Sequence, residues 1–138
     1  MSVVGYAPGA YDLFHIGHLN ILRQARAHCD YLIAGVVTDD VVQRAKTRAP
    51  VMPFEERIDI VRNIRFVDEA VADTHVDKFE TWQELRYDVL FKGDDWRGTE
   101  RGRLLERRLA EVGARLVYFP YTIQTSSTAL RKVIAEIA

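Results

Sequence analysis

Cysteine is nearly absent from this sequence, which holds a single one, Cys29, in 138 residues. One thiol cannot form an internal disulfide, so the composition gives no sign of an oxidising compartment. Long apolar runs are also absent. No stretch approaches the ~18 residues of a membrane span, and residues 1–6 lack the basic n-region of a signal peptide. We therefore expect a cytoplasmic protein that does not enter the membrane.

An excess of charge of one sign is missing as well, because 19 Lys and Arg residues face 20 Asp and Glu residues. A chain without basic excess lacks the counterion release that drives nucleic-acid binding. Hydrophobic residues make up 48% and charged residues 28%, the balance of a folded protein rather than a disordered one. The length suits one domain with its own core, so we expect a single domain over residues 1–138 that binds no nucleic acid.

Short apolar runs alternate with amphipathic segments along the whole chain. The runs predict five strands, at residues 3–7, 31–37, 69–72, 88–91 and 115–119. Helical spacing and capping residues predict helices at 17–28, after Thr38, after Pro53, at 77–85, at 104–112 and after residues 125–128. Residues 44–53 and 92–103 are predicted loops, and Pro8 is predicted to end the first strand. The alternation predicts an α/β fold, a Rossmann-like, doubly wound parallel sheet with helices on both faces.

Four unusual polar segments lie where the predicted strands end, at residues 8–18, 38–48, 93–97 and 125–128. In open parallel sheets, ligands bind beyond the carboxyl ends of the strands, where the strand order reverses. The segments are therefore predicted to converge on one ligand site.

The first of these segments contains His15 and His18, three residues apart at the start of a predicted helix. That spacing puts both rings on one helix face, and helix N-termini favour phosphates. Gly17 between them lets another group approach the backbone closely. Two imidazoles there could donate hydrogen bonds to phosphate oxygens as charge builds in a transition state. Alternatively, the rings cap and pack the helix. Zinc would need further ligands, so no metal ligand is assigned.

Basic residues supply candidate phosphate contacts. Lys46 lies in the predicted loop with Arg44 and Arg48, and a mobile lysine suits a clamp that folds over a triphosphate. Arg57 and Arg65 are similar candidates on the next helix. The alternative for each is a solvated surface charge.

Two later segments add carboxylates and hydroxyls. Asp94 and Asp95 could orient sugar hydroxyls, position a base or bind Mg²⁺ through water, or they could form a simple turn. Trp96 beside them needs something to pack on. The four hydroxyl residues 125–128 could cap the last helix or form a second phosphate-binding helix terminus. Asp12 could brace the first loop.

These segments together resemble a known family. Residues 9–18 (GAYDLFHIGH) resemble the G-T-F-D-x-x-H-x-G-H signature of the cytidylyltransferase family. Residues 92–96 (KGDDW) resemble its G-D-D-W segment, and residues 125–128 (TSST) resemble its I-S-T-T segment. Residues 54–57 and 64–68 resemble their counterparts in bacterial glycerol-3-phosphate cytidylyltransferases. The likeness spans nearly the whole chain in the same order.

The resemblance implies a homodimeric nucleotidyltransferase that uses CTP and Mg²⁺, with glycerol 3-phosphate as the phosphorylated acceptor and CDP-glycerol and pyrophosphate as products. It implies catalytic roles for His15, His18 and Lys46. It implies nucleotide contacts by Ala10, Tyr11, Gly17, Asp94, Thr125, Ser127 and Thr128. It implies acceptor contacts by Asp12, Arg57, Arg65, Asp95 and Trp96.

Three positions depart from the family pattern and leave alternatives open. Ala10 stands where the family has threonine, and Tyr121 stands where it has an arginine in an R-T-E-G run. Losing an arginine removes a strong phosphate or base contact. Lys92 replaces the usual apolar residue and resembles the K-G-G-D segment of the heptose-pathway adenylyltransferase. An ATP-dependent adenylyltransferase therefore remains an alternative.

Two further alternatives are a non-enzymatic nucleotide-binding module and a fragment of a class I aminoacyl-tRNA synthetase. The synthetases share a literal H-I-G-H, which is a motif-level match only. The short chain and the lack of a K-M-S-K-S-like loop disfavour that alternative.

Overall fold

The computed structural model describes residues 2–121 and 126–137. The strands are β1 (Val4–Gly9), β2 (Tyr31–Val37), β3 (Glu69–Asp73), β4 (Val89–Gly93) and β5 (Arg115–Phe119). The helices are α1 (Ile16–Ala27), α2 (Asp39–Lys46), α3 (Phe54–Arg62), α4 (Lys78–Leu85), α5 (Glu100–Glu111) and α6 (Ser127–Ile137), with a 3₁₀ turn at Asp94–Trp96. The strands form one sheet in the order β3-β2-β1-β4-β5, and every neighbouring pair is parallel. The predicted α/β fold is confirmed.

Each face of the sheet carries its own hydrophobic core, because successive side chains of a strand point to opposite faces. On β1, Ala7 packs in one cluster with Leu22 of α1 and Val61 of α3. Its neighbour Tyr6 packs in the other cluster with Leu105 of α5. Helices therefore cover both faces, which explains why the strand runs are apolar throughout rather than alternating.

The side chain of Tyr6 on β1 extends across the sheet to the end of β3. Its hydroxyl donates to the buried carboxylate of Asp73, which also pairs with the Lys78 ammonium at 3.1 Å. A Cβ at Gly35 of β2 would lie 1.9 Å from the Tyr6 hydroxyl oxygen. Only glycine permits this crossing, so Gly35, Tyr6 and Asp73 together align the carboxyl ends of β1, β2 and β3.

Several predicted boundaries differ from the structure, and three of these differences have a clear physical cause. The first strand continues through Pro8 and Gly9, which is possible because β4 pairs with β1 only at Gly5 and Tyr6. A proline beyond that point removes no hydrogen bond to β4. The region predicted as a loop from residue 44 begins with the last turn of α2, so Lys46 ends a helix.

The third error concerns α5, which begins at Glu100 rather than at residue 104. Thr99 caps it, because its hydroxyl accepts the Gly102 N–H at 3.1 Å. Gly102 indicated a loop in the sequence, but it is needed for close packing. A Cβ there would lie 2.1 Å from the backbone oxygen of Trp96.

Arg57 of α3 is fully buried and connects four parts of the chain. Its guanidinium donates to the backbone oxygens of Ala10, Val37 and Met52 at 2.6 to 2.9 Å, and it pairs with Asp39 at 2.6 Å. A buried cation is tolerated because its donors find acceptors and a counter-charge. This side chain therefore fixes the loop after β1 against the end of β2 and the start of α3.

We expect Arg57→Met to lower the free energy of unfolding by about 3 kcal/mol or more, because three backbone oxygens would lose their donor. Urea unfolding followed by circular dichroism measures the change. The matched control is Arg62→Met on the same helix, whose exposed side chain makes only a 3.6 Å ion pair with Asp59. The control should change stability by less than about 0.5 kcal/mol. Equal effects of the two substitutions would contradict the assignment.

Candidate active site

A cavity of about 590 Å³ opens beyond the carboxyl ends of the strands. The strand order reverses between β1 and β4, and residues from the ends of both strands line the cavity. All four polar segments singled out in the sequence contribute lining residues, the last through residues 126–128. The topology thus brings these segments to the place where a doubly wound sheet binds ligands.

The structure brings most of the predicted site residues together. The predicted site residues that line the cavity are Ala10, Tyr11, Asp12, His15, Gly17, His18, Lys46, Asp95, Trp96, Ser127 and Thr128. Three others, Asp94, Arg57 and Arg65, do not line it. Thr125 lies outside the described residues.

The two histidines lie at the N-terminus of α1 and hold each other in place. The Nδ1 atom of His15 accepts the Gly17 N–H at 3.0 Å, and the Nδ1 atom of His18 accepts the His15 N–H at 3.2 Å. The ring centroids are 4.0 Å apart. Because each Nδ1 is an acceptor, the proton of each neutral ring is on Nε2. The pair therefore presents two Nε2–H donors at a helix N-terminus, where the His15 and Gly17 N–H groups are already bonded to the rings.

Both imidazoles are kept neutral by their surroundings. Burial lowers the pKa of His15, and it lowers the pKa of His18 to about 3, with His15 adding to the effect and Asp12 opposing it. At neutral pH the rings are therefore hydrogen-bond donors rather than fixed positive charges. The capping role and the donor role are compatible. Capping uses the Nδ1 atom of each ring, and the Nε2–H group can still donate to a ligand.

Asp12 braces the first loop, as its sequence position suggested. Its buried carboxylate accepts the backbone N–H groups of Val51 and Met52 at 2.8 and 2.9 Å, and Arg131 of α6 approaches it at 3.4 Å. Its backbone oxygen accepts the Ser127 hydroxyl at 2.7 Å. Asp12 therefore ties the first loop to the segment before α3 and to the start of α6, and its carboxylate oxygens are already engaged.

Two predicted acceptor contacts lie away from the cavity. The Arg57 guanidinium donates its hydrogen bonds to protein groups behind the first loop. Arg65 is exposed and is not among the cavity residues. The sequence could not separate these arginines from cavity residues, because a buried structural arginine and a ligand-binding arginine look alike in one chain.

Lys92 departs from the family pattern and was given no predicted role, and the structure places it in the cavity wall. Its ammonium lies 4.1 Å from the ring centroid of Trp96, and the Arg101 guanidinium carbon lies 4.2 Å from the same centroid. Burial lowers the pKa of Lys92 to about 8. Asp95 opposes this effect, while Lys78, Lys46 and Arg101 reinforce it. Arg101 was missed because its helix was predicted to begin later.

Tyr121 stands where the family pattern has arginine. Its hydroxyl donates to the Oδ1 atom of Asp95 at 2.9 Å, and burial together with this bond raises its pKa. A Cβ at Gly93 would lie 2.5 Å from the Tyr121 ring. The tyrosine therefore packs across the end of β4 and orients one of the two adjacent carboxylates.

Two kinds of feature are absent from the part of the chain that the structure describes. No group of three or more His, Cys, Asp or Glu side chains is arranged there to hold a metal ion. Among the helices in residues 2–121 and 126–137, none has the length and apolar character needed to cross a bilayer.

Comparison with known proteins gives consistent matches. The family model described as cytidylyltransferase-like matches residues 6–133. Ethanolamine-phosphate cytidylyltransferase of Mus musculus is 40% identical over 109 residues, which are 78% of this chain and 27% of the mouse protein. This chain thus spans about a quarter of that relative. FAD synthase of Pyrococcus abyssi is 30% identical over 132 residues, covering 94% of this chain and 88% of the archaeal protein.

A solved structure shares the fold. The lipopolysaccharide core biosynthesis protein from Thermoplasma volcanium superimposes with a TM-score of 0.76 over 89% of this chain and 100% of that one, at 21% identity. That identity supports the shared architecture only.

The histidine environment predicts an unusual titration. Because the pKa of His18 is lowered to about 3, its imidazole should stay neutral between pH 8 and pH 5. His75 should behave oppositely, since its hydrogen bond to Glu84 raises its pKa above the usual 6.5. NMR titration of the imidazole C–H signals measures both. A His18 signal that titrates near pH 6.5 would contradict the described geometry.

Proposed function

Because this chain belongs to the cytidylyltransferase-like family of nucleotidyltransferases, we propose that it transfers CMP from CTP to a phosphorylated small alcohol and releases pyrophosphate. The observation that carries the proposal is the pair of neutral histidines at the N-terminus of α1, facing a cavity that the N-terminus of α6 also lines. Two helix termini and two neutral N–H donors suit a triphosphate whose charge shifts during the reaction.

The reaction we propose is a single in-line displacement. An oxygen of the acceptor phosphate attacks the α-phosphorus of the triphosphate, and the bond from that phosphorus to the pyrophosphate oxygen breaks. An ionised phosphate is already a nucleophile, so no general base and no covalent intermediate are needed. Catalysis then depends on positioning and on charge stabilisation at the α-phosphate.

His15 and His18 are proposed to donate their Nε2–H groups to oxygens of the α-phosphate and of the leaving pyrophosphate. Their positions are set before the ligand arrives, because each Nδ1 is already bonded to backbone. Preorganised donors need no reorientation as charge develops, which is the source of their effect. Lys46 is proposed to add a positive charge from the end of α2, where its long side chain can reach the triphosphate.

Mg²⁺ is the proposed cofactor, and the cavity suits an ion that arrives with the nucleotide. Mg²⁺ binds through phosphate oxygens, water and one or two carboxylates rather than through a protein cage. Asp95 lines the cavity. Its Oδ1 atom accepts the Tyr121 hydroxyl, and its Oδ2 atom is the one that could face the ion. Asp95 would hold the ion directly or through water, while the ion neutralises part of the triphosphate charge.

The acceptor is proposed to be glycerol 3-phosphate or a related phosphorylated alcohol. Residues 54–57 and 64–68 support glycerol 3-phosphate through their family resemblance. The mouse relative, named for ethanolamine phosphate, supports the wider class. A homodimer remains a prediction from the same resemblance, and a cytoplasmic location remains a prediction from the composition.

A second candidate function is adenylyl transfer from ATP. It is favoured by the FAD synthases, which align over almost the whole chain, and by the replacement of the family arginine with Tyr121. The candidate keeps the same displacement and the same histidine roles. It differs in the nucleobase of the triphosphate and in the acceptor. The acceptor would be a larger phosphorylated molecule, such as flavin mononucleotide.

Pyrophosphate release separates the two candidates. The purified protein with Mg²⁺ is offered CTP or ATP together with glycerol 3-phosphate, ethanolamine phosphate, flavin mononucleotide or a sugar phosphate. We expect release with CTP and a phosphorylated alcohol. Release with ATP alone would replace the first candidate by the second, and no release with any pair would contradict nucleotidyl transfer to these acceptors.

We expect His18→Ala to reduce turnover by about 10²–10³-fold, the loss typical of one oxyanion donor. Steady-state pyrophosphate release with the active substrate pair measures it. His28→Gln is the matched control, since His28 is exposed at the end of α1 and does not line the cavity. Thermal unfolding of both variants shows that they are folded. Near-normal turnover of a folded His18→Ala protein would rule out the proposed role.

A further inference from the structure

A cluster of three side chains in the cavity wall has no function in the reaction described above. The cluster consists of Lys92 at the end of β4, Trp96 in the 3₁₀ turn and Arg101 in the first turn of α5. Both cations lie about 4 Å from the Trp96 ring centroid, at 4.1 and 4.2 Å. Within residues 2–121 and 126–137, neither cation forms an ion pair with a carboxylate at 4.0 Å or less.

Two other cations of the cavity, Lys78 and Arg131, are already paired. Two more, Lys46 and Arg48, are exposed to solvent, where an unpaired charge costs little. Lys78 forms a 3.1 Å ion pair with Asp73 and donates to the His75 backbone oxygen at 2.6 Å. Arg131 approaches Asp12 at 3.4 Å. The ammonium of Lys92 is different, because it is partly buried and no carboxylate lies within 4.0 Å of it among the described residues. A partly buried charge with no close partner is costly to maintain. Such a group gains most when an anionic ligand supplies the missing charge.

The position of the cluster separates it from the proposed triphosphate contacts. A second cavity of about 390 Å³ adjoins the first, and Val76, Lys78, Trp96 and Arg101 line both. The proposed triphosphate contacts His15 and Ser127 line only the first cavity. Trp96 and Arg101 therefore lie where the two cavities meet, and Lys92 contacts the Trp96 ring from the first cavity. This position at the edge of the first cavity leaves the cluster for the other anionic reactant.

Two of the cations expected to bind the acceptor are absent from the cavity. Arg57 and Arg65 were among the predicted acceptor contacts, yet Arg57 is buried among protein acceptors and Arg65 lies outside the cavity. A phosphorylated acceptor still needs positive charge near its phosphate. Lys92 supplies a point charge and Arg101 a planar fork of donors, the two side-chain types that recognise phosphate.

We propose that Lys92 and Arg101, oriented by the face of Trp96, bind the anionic group of the acceptor and thereby select phosphorylated over neutral acceptors. This inference rests on the proposed nucleotidyl transfer. It makes Lys92 a specificity-determining residue of this chain, at a position where the family pattern has an apolar side chain. Trp96 acts as a positioning residue, because it touches the two cations.

The test compares Lys92→Met with Lys92→Arg. Methionine keeps the length and the burial but removes the charge, whereas arginine keeps the charge. We expect Lys92→Met to raise the KM for the phosphorylated acceptor about 10- to 100-fold, the loss of a charge-assisted contact, and to leave the KM for the nucleoside triphosphate within about 2-fold. Lys92→Arg should recover most of the acceptor affinity.

The control substitution is Lys132→Met on α6, an exposed lysine outside both cavities, which should leave both KM values unchanged. Thermal unfolding confirms that each variant is folded. If Lys92→Met raised the KM for the triphosphate instead, or changed neither KM, the assignment to the acceptor would be overturned.

A binding measurement keeps this inference separate from the proposed reaction. Isothermal titration calorimetry with glycerol 3-phosphate and with glycerol needs no turnover. We expect the native protein to bind glycerol 3-phosphate but not glycerol, and Lys92→Met to bind it at least about 10-fold more weakly. A protein that shows this pattern without releasing pyrophosphate would lose the proposed reaction but keep the anion site. Equal binding by the native protein and Lys92→Met, or no binding by either, would overturn the site.

Discussion

The hydrogen bonds of the Asp12 carboxylate hold the site together, because they join parts of the chain that are far apart in sequence. The carboxylate accepts N–H groups of Val51 and Met52, and the backbone oxygen of the same residue accepts the Ser127 hydroxyl. Arg57 completes the arrangement from behind by donating to the Ala10 and Met52 backbone oxygens. Hydrogen bonds on both sides thus fix the first loop without a ligand. They also fix the position of the histidines, which directly follow the loop.

The electrostatic character of the cavity follows from what is paired and what is not. Carboxylates that could repel a phosphate are engaged, Asp12 with backbone N–H groups and Asp95 with Tyr121. The histidines are neutral donors because burial disfavours their charged form. Positive charge comes from Lys46, which forms no ion pair at 4.0 Å or less among the described residues, and from Lys92 beside Trp96. Other cations of the cavity, Lys78 and Arg131, already form ion pairs with Asp73 and Asp12, so we expect a phosphate ligand to interact mainly with the unpaired cations.

Two of the three departures from the family pattern lie near the ends of β4 and β5, where Lys92 and Tyr121 replace residues of other character and Arg101 adds a second cation. The third, Ala10, lies in the first loop, ahead of the histidines. His15, Gly17 and His18 themselves match the family signature. The relatives that match this chain carry different names, an ethanolamine-phosphate cytidylyltransferase and a FAD synthase, which agrees with the rule that one fold can serve different substrates.

The sequence by itself determined the elements and the chemistry of the signature. Strands at 31–37 and 115–119 have the predicted bounds, because apolar runs bounded by polar residues encode them locally. The spacing of His15 and His18 predicted a shared helix face for the same local reason. Only the tertiary structure decided which cations face the ligand. Arg57 turned inward to bond backbone oxygens, and Lys92 turned into the cavity beside Trp96. Such choices depend on contacts between residues distant in the chain, where burial and pairing, rather than local pattern, set the role of a charge.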